Sequence, residues 1–266
     1  MMSSAEFHKI TLDLKTNLFD ELLRATDFEP IAKGRIGNHL VNVEDNGIPI
    51  VRTTTKYNIP ANNFAAIHHL LVERINDTIR GNNQDGIPAQ HFNNALIEVY
   101  DANYYKMNYH SDQNLDLDND SYIGLFSCYE RPDELSEQHI RKLKIKNKES
   151  DEESEHSLTH NSVMLFSLTT NTKFLHKIVL DAAPNPKQSA SDNRWLGITF
   201  RTSKTYIRFE NNLPYFSNGK LLELANKEQE AEFYKLRGEE NRDMNFVYPD
   251  LTYTVNAADI MMPKNS

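Results

Sequence analysis

One cysteine, one tryptophan and nine glycines are all this chain of 266 residues has of those types, and no apolar run approaches the ~18 residues of a membrane-spanning helix. The lone Cys128 excludes an internal disulfide framework and zinc sites built from several thiolates, and it suits a reducing compartment. Residues 1–15 hold neither an apolar core nor a basic leader, so the sequence reads as a soluble, cytoplasmic protein with no membrane partner. Positive charge is short as well: 29 Lys and Arg against 38 Asp and Glu leave a net charge of -9. That balance argues against a surface that coats nucleic acid, but leaves room for a local basic groove that handles one base. The length fits one large domain, or one domain with extensions.

Periodicity sorts what is present into three parts. In residues 1–87, Leu12, Leu14, Leu18, Phe19, Leu22 and Leu23 predict a helix over 10–25. Asn46-Gly47 predicts a hairpin over 38–55, and Pro60 opens a second helix through Arg80 that Gly81-Asn82-Asn83 closes. From 88 to 206 the period falls to two or to short apolar runs, giving strands over 94–100, 121–129, 142–146, 162–168, 173–180 and 195–202. Residues 148–160 read as a charged surface loop. Residues 207–266 form a C-terminal extension with a helix over 221–237 and an extended Tyr248-Pro249 segment. The expected class is α+β, mainly β: a double-stranded β-helix (jelly-roll) core with N-terminal helices packed outside.

His110-Ser111-Asp112, with His176 far downstream, is the most informative pattern. With 38 acids in 266 residues, an acid falls two places after a His about one time in seven, so ten histidines give one or two such pairs by chance. Context decides. In an extended segment, residues i and i+2 point the same way, so His110 and Asp112 can face one metal. His176 is a polar ring inside a strand and needs a partner. Two imidazoles and one carboxylate on one face of iron(II) form the facial triad of non-haem oxygenases. Arg194 and Arg201 follow, able to pair with carboxylates of a 2-oxoglutarate co-substrate.

Other clusters are weaker. Asp116, Asp118 and Asp120 begin like a calcium loop, but the required Gly and terminal Glu are absent. Tyr100, Tyr104, Tyr105 and Tyr109 would either stack on a base or serve ordinary strand packing. Cys128 sits in an apolar strand and reads as core.

The segments Phe92–Tyr100, Tyr104–Asp112, Lys144–Ser150, Leu158–Phe166, Thr170–His176 and Ile198-Thr199-Phe200-Arg201 resemble, in order, the AlkB family of iron(II)- and 2-oxoglutarate-dependent dioxygenases. The resemblance covers residues 88–204. It implies iron(II) on His110, Asp112 and His176, and 2-oxoglutarate held by Tyr100, Arg194 and Arg201. It also implies dioxygen as co-substrate and oxidative demethylation of N-alkylated bases in DNA or RNA, with formaldehyde released. A base-flipping lid would fall at residues 44–58, with Arg52 and Tyr57, and Tyr104 nearby, toward substrate. Two departures stand out. Glu98 replaces the family's Asn two places before the tyrosine. Arg194 and Arg201 are seven apart, where the family's arginines are six apart. Either Gly197 forms a bulge that restores the alignment, or Trp195 takes the first slot and Arg201 acts alone. The acidic surface and Glu98 leave hydroxylation of a free nucleotide, protein side chain or small metabolite as the alternative, and a barrel that binds without catalysis as a third.

Overall fold

The computed structural model describes residues 6–81, 86–181 and 193–265. Its elements begin with β1 (His8–Thr11), α1 (Phe19–Arg24), β2 (Glu29–Ala32), β3 (Arg35–Val41), β4 (Ile48–Pro49), β5 (Asn62–Asn63) and α2 (Ala66–Gly81). The central part contains β6 (Asn94–Tyr100), β7 (Tyr122–Tyr129), β8 (Lys142–Asn147), β9 (Glu153–Ser157), β10 (Ser162–Ser167), α3 (Leu168–Lys173), β11 (Phe174–Val179) and β12 (Trp195–Arg201). The chain closes with β13 (Tyr206–Glu210), β14 (Leu213–Phe216), β15 (Glu223–Leu224), α4 (Lys227–Glu240) and β16 (Tyr253–Thr254).

Two sheets face each other as the sequence predicts for a jelly roll. The major sheet runs β1-β10-β7-β12-β6-β3-β2, with β5 added in parallel beside β3. The minor sheet is β11-β8-β9, antiparallel throughout. Because side chains alternate along a strand, the major sheet has two separate apolar faces. Ala95, Ile97 and Val99 of β6 and Leu196, Ile198 and Phe200 of β12 lie in one cluster with α1 and α2. Tyr100, Leu125, Phe166 and Trp195 face inward with Leu143, Ile145, Phe174 and Ile178 of the minor sheet. In α2, Ile67, Leu71, Ile75 and Ile79 are buried at four-residue spacing; this single stripe covers the sheet's outer face.

Several expectations need correction. Residues 10–25 are not one helix: Ile10 and Leu12 are buried as part of a strand entry, and only Phe19–Arg24 is helical. The hairpin expected over 38–55 shrinks to a tight turn in which Glu44 and Gly47 exchange backbone hydrogen bonds at 3.0 and 2.9 Å, because β3 pairs with β6 while β4 pairs with β13. Pro60 does not open α2, which starts at Ala66; the backbone before it is committed to β5, where Asn62 Oδ1 accepts from the Asp27 N–H at 3.0 Å. Residues 148–160 contain β9, whose side chains alternate between exposed and half-buried. Lys142 pairs with Glu155 at 2.8 Å across that edge. The C-terminal helix runs over 227–240 rather than 221–237, started by an Asn226–Gln229 capping box. Asn82 and Asn83, expected to end α2, lie outside the described residues. The expected division at residue 88 does not follow the sheet, since β1, β2, β3 and β5 are strands of it. No helix among the described residues is long and apolar enough to cross a membrane.

Candidate metal centre

The inner face of the major sheet is ruled into rows by strand register. Arg35, Tyr100, Trp195 and Tyr129 form one row, followed by Gly37, Glu98, Gly197 and Ser127. Next come His39, Leu96, Thr199 and Leu125, then Val41, Asn94 and Arg201. Between this face and the minor sheet lies a cavity of about 450 Å³, whose wall includes Arg35, Glu98, Tyr100, Thr199 and Arg201.

His110, Asp112 and His176 meet on that wall, with ligating atoms all within 4.8 Å of one another. No other group of three or more His, Cys, Asp or Glu among the described residues is arranged this way. Backbone pairing brings them together. His110 N–H donates to the His176 carbonyl at 3.0 Å, and His176 N–H donates back at 2.7 Å, so the loop after β6 docks as a short extra rung on β11. His110 Nδ1 lies 3.0 Å from the Asn108 carbonyl. That bond assigns the proton to Nδ1 and leaves the Nε2 lone pair free for a metal. Burial, then the neighbouring His176, lowers the His110 pKa to about 3, so its imidazole is neutral across the physiological range. Asn171, within α3, accepts from the Asp112 N–H at 2.7 Å and donates to its carbonyl at 2.8 Å. The loop is thereby fixed on both sides of Asp112.

Asp112 is polarised in a useful way. Arg201 Nε and Nη2 both lie 2.8 Å from Oδ2, while Oδ1 faces His176 Nε2 at 3.5 Å. Burial alone would push this carboxyl up, but the Arg201 guanidinium, then His176, hold it well below the usual carboxylate range. Two imidazoles and an ionised carboxylate are the donor set that iron(II) takes with open positions remaining. Arg201 Nη1 is buried with no hydrogen-bond partner among the described residues. An orphaned charged donor of this kind costs free energy and fits an anionic group beside the metal.

Arg194 does not reach the cavity. β12 pairs with β6 in unbroken register from Trp195 to Arg201, so no bulge forms at Gly197. An odd offset on a regular strand points Arg194 to the other side. There it pairs with Glu130 at 2.8 Å and covers the ring of Phe19 at 5.2 Å. Trp195, six before Arg201, takes the inward slot. Its indole folds across Gly197, where any Cβ would collide with the ring, and Nε1 donates to Ser127 Oγ at 2.5 Å.

Tyr100 is fully buried on the wall, and its hydroxyl donates to Glu98 Oε2 at 2.5 Å. Glu98 does not turn away from the cavity, as repulsion by a co-substrate would suggest. Arg35 Nε and Nη2 hold Oε1 at 2.6 and 2.5 Å, and the Tyr57 hydroxyl approaches it at 3.5 Å. Tyr57 is therefore packed behind the wall, 0% exposed, and is not available to a substrate at the mouth. Tyr104 is also committed, its ring 4.5 Å from Tyr100 and under the Arg35 guanidinium.

Arg52 is placed far from its expected role. Its Nε and Nη2 bind Asp116 at 3.0 and 2.8 Å, and Nη1 donates to the Leu251 carbonyl at 2.7 Å. Only 4% exposed, it fastens the C-terminal segment and does not meet phosphate at the cavity. Its neighbours Thr53, Thr54 and Thr55 do line the cavity. A separate hollow of about 590 Å³ beside Phe216, Val247 and Pro249 has no ligating cluster.

Three functional features escaped the sequence reading. Arg35 was assigned nothing, because only the β3–β6 register places it beside Tyr100. Arg141 is buried over Tyr100 and Trp195, 5.1 and 5.9 Å from the ring centroids. It donates to the Tyr104 and Asp101 carbonyls at 2.6 and 2.7 Å and braces the loop toward His110. The third is the C-terminal end of α4, which grips the ligand loop. Asn241 Oδ1 accepts from Ser111 N–H at 3.1 Å, Glu240 Oε1 accepts from Asn114 N–H at 2.8 Å, and Arg237 donates to the Ser111 carbonyl. Arg237 and Asn241 also form part of the cavity wall. The only sequence signal was the Asn226–Gln229 helix start; nothing in it pointed to the metal loop.

The sequence model of the 2OG-Fe(II) oxygenase superfamily matches residues 35–201. Among solved structures that match, OsALKBH1 is 15% identical with a TM-score of 0.47, covering 73% of this chain and 96% of that one. A Pseudomonas putida prolyl-4-hydroxylase is 13% identical with a TM-score of 0.43, covering 76% and 95%. No curated protein sequence matches the chain.

Proposed function

The chain belongs to the 2OG-Fe(II) oxygenase superfamily, and from that starting point we propose that it hydroxylates a C–H bond on an N-alkylated base of nucleic acid, which then loses the alkyl group as an aldehyde. The observation that carries the hydroxylase reading is the convergence of His110, Asp112 and His176 beside an orphaned Arg201 Nη1. The superfamily's cofactors are iron(II) and 2-oxoglutarate. Bound together with dioxygen, they supply an oxidant that places one oxygen atom in a C–H bond as 2-oxoglutarate becomes succinate and carbon dioxide.

In this reading His110, Asp112 and His176 hold the metal. Asn108 and Asn171 fix the ligand geometry, and Arg201 keeps Asp112 ionised while offering Nη1 to the co-substrate. Ile178, Leu143, Leu125 and Phe166 line the interior and exclude water from the reacting face. Thr53, Thr54, Thr55, Asn108, Tyr109 and Asn241 give the mouth hydroxyl and amide groups and an aromatic ring, a chemistry suited to the edge and face of a base. The sequence resemblance supports the base; the acidic chain does not by itself.

A second substrate class is favoured by one observation. The cavity's arginines are each matched by a carboxylate: Arg35 with Glu98, Arg201 with Asp112, Arg237 with Glu240. With Arg52 buried, the mouth has no free guanidinium among the described residues for a phosphate backbone, which suits a free nucleoside or small metabolite. The test is succinate and formaldehyde yield with iron(II) and 2-oxoglutarate, comparing an N-methylated single-stranded oligonucleotide with the matching nucleoside. Matched yields stimulated by the oligonucleotide support the first substrate. Stimulation by the nucleoside alone supports the second, and unstimulated turnover with both removes the base altogether.

A further inference from the structure

We propose that Arg35 supplies the countercharge for the far carboxylate of 2-oxoglutarate, and that Glu98 occupies this receptor until the co-substrate arrives. The inference rests on the reading of the chain as a 2-oxoglutarate-dependent oxygenase.

A dicarboxylate held at a metal by one end needs a cation for the other, because an unpaired buried carboxylate is costly. Arg194 lies outside the cavity on Glu130, and an uncharged indole fills the slot its side chain would have needed. Three guanidinium groups line the cavity. Arg201 grips Asp112 beside the metal ligands, and Arg237 is tied to Glu240 and the Ser111 carbonyl. Arg35 stands in the row of Tyr100 and Trp195, three rows along the sheet from Arg201. Of these three it is the one at the end of the wall away from the metal ligands; Arg141, stacked on Tyr100 and Trp195 at that end, is spent on the Tyr104 and Asp101 carbonyls.

The groups around Glu98 already make a carboxylate receptor. Arg35 presents Nε and Nη2 at 2.6 and 2.5 Å, Tyr100 a hydroxyl at 2.5 Å and Tyr57 a hydroxyl at 3.5 Å. Charged donors in a fork, with hydroxyl donors beside them, are specific for a carboxylate. Here that carboxylate comes from the chain's own strand, on a side chain with enough torsional freedom to yield. Two anions cannot share these donors, so co-substrate binding displaces Glu98 from Tyr100 and from part of Arg35. The exchange makes affinity depend on the incoming molecule having a second carboxylate.

The full chain loaded with Mn(II), without oxygen turnover, is titrated with 2-oxoglutarate and with 2-oxopentanoate, which lacks the far carboxylate. Trp195, the chain's single tryptophan, lies 4.9 Å from Tyr100 between ring centroids, so its fluorescence reads binding directly, with calorimetry as a second readout. Wild type is expected to prefer 2-oxoglutarate at least tenfold. Glu98→Gln frees Arg35 and tightens 2-oxoglutarate at least tenfold, leaving 2-oxopentanoate within about twofold. Arg35→Gln combined with Glu98→Gln keeps the net charge and erases the preference. A preference that survives in the double variant, or an unchanged preference in Glu98→Gln, overturns the assignment of Arg35. If the double variant does not fold, Glu98→Gln alone decides. If the wild type binds neither compound, the underlying 2-oxoglutarate reading falls and this inference with it.

Discussion

Arg201 holds Asp112 through two nitrogens, both 2.8 Å from a single carboxylate oxygen, and so leaves the other oxygen turned toward His176. The arrangement presents one charged oxygen to a metal and keeps a third guanidinium nitrogen in reserve. Arg201→Lys keeps the charge but loses the two-point grip. Mn(II) affinity, measured by equilibrium dialysis, is expected to fall about ten- to a hundredfold, the usual effect of disturbing a group that orients a metal ligand. Wild-type affinity in this variant would show that the grip does not set the ligand geometry.

Gly197 and Trp195 make a prediction about packing. Because the indole lies across residue 197, Gly197→Ala must push Trp195 out of its place against Ser127 and Tyr100. Overpacking of this kind costs about 1–3 kcal/mol. Urea unfolding should show that loss together with a shift in Trp195 emission. Unchanged stability and emission would mean the ring has room to move.

How much of this could be read from the sequence differs by residue. His110, Asp112 and His176 were legible because ligand chemistry constrains residue type, and β6 and β12 because their apolar runs are bounded by turns. The first helix was overdrawn because Ile10, Leu12 and Leu14 alternate at period two before the period of α1 begins at Leu18, and the two signals merge in one window. β9 was missed because it is polar on both faces. Its evidence lies across the sheet, in Lys142 and Lys144 opposite Glu155. The displacement of Arg194 by Trp195 was one of two open options that only register decides. Arg35 and the end of α4 act on the site from 63 and 126 residues away along the chain, a distance no local pattern spans.

Glu240 tests the role of the C-terminal helix. It is 4% exposed and receives Asn114 N–H at 2.8 Å, Arg237 Nη1 at 2.5 Å and the Tyr248 hydroxyl at 2.7 Å. Glu240→Ala strands Arg237 in a buried position, at a cost of about 3–5 kcal/mol. It also loosens the loop that carries His110 and Asp112. Thermal unfolding should fall and metal should stabilise the variant less than the wild type. Equal stabilisation by metal in both would separate α4 from the site.

Asp259 provides a pH prediction. Burial raises its carboxyl to about 7, partly offset by the Thr254 hydroxyl. The folded state therefore keeps a proton that the unfolded state has lost above about pH 4. Stability contributed by this group is present below that pH, declines as pH rises toward 7 and is flat beyond. Asp259→Asn removes the decline, so its advantage over wild type should grow between pH 5 and 8 by on the order of 2–4 kcal/mol. Parallel pH profiles for the two proteins would place the carboxylate's ionisation outside this range.

The most direct test of the account is an anaerobic titration of the chain with iron(II) and 2-oxoglutarate, followed by visible absorption. Chelation of a 2-oxo acid to protein-bound iron(II) gives a charge-transfer band that neither component gives alone. The account predicts this band at one iron per chain in the wild type and its loss in Asp112→Ala and His176→Ala. A band that persists in both variants, or none in the wild type, would contradict the assignment of His110, Asp112 and His176 as the iron site.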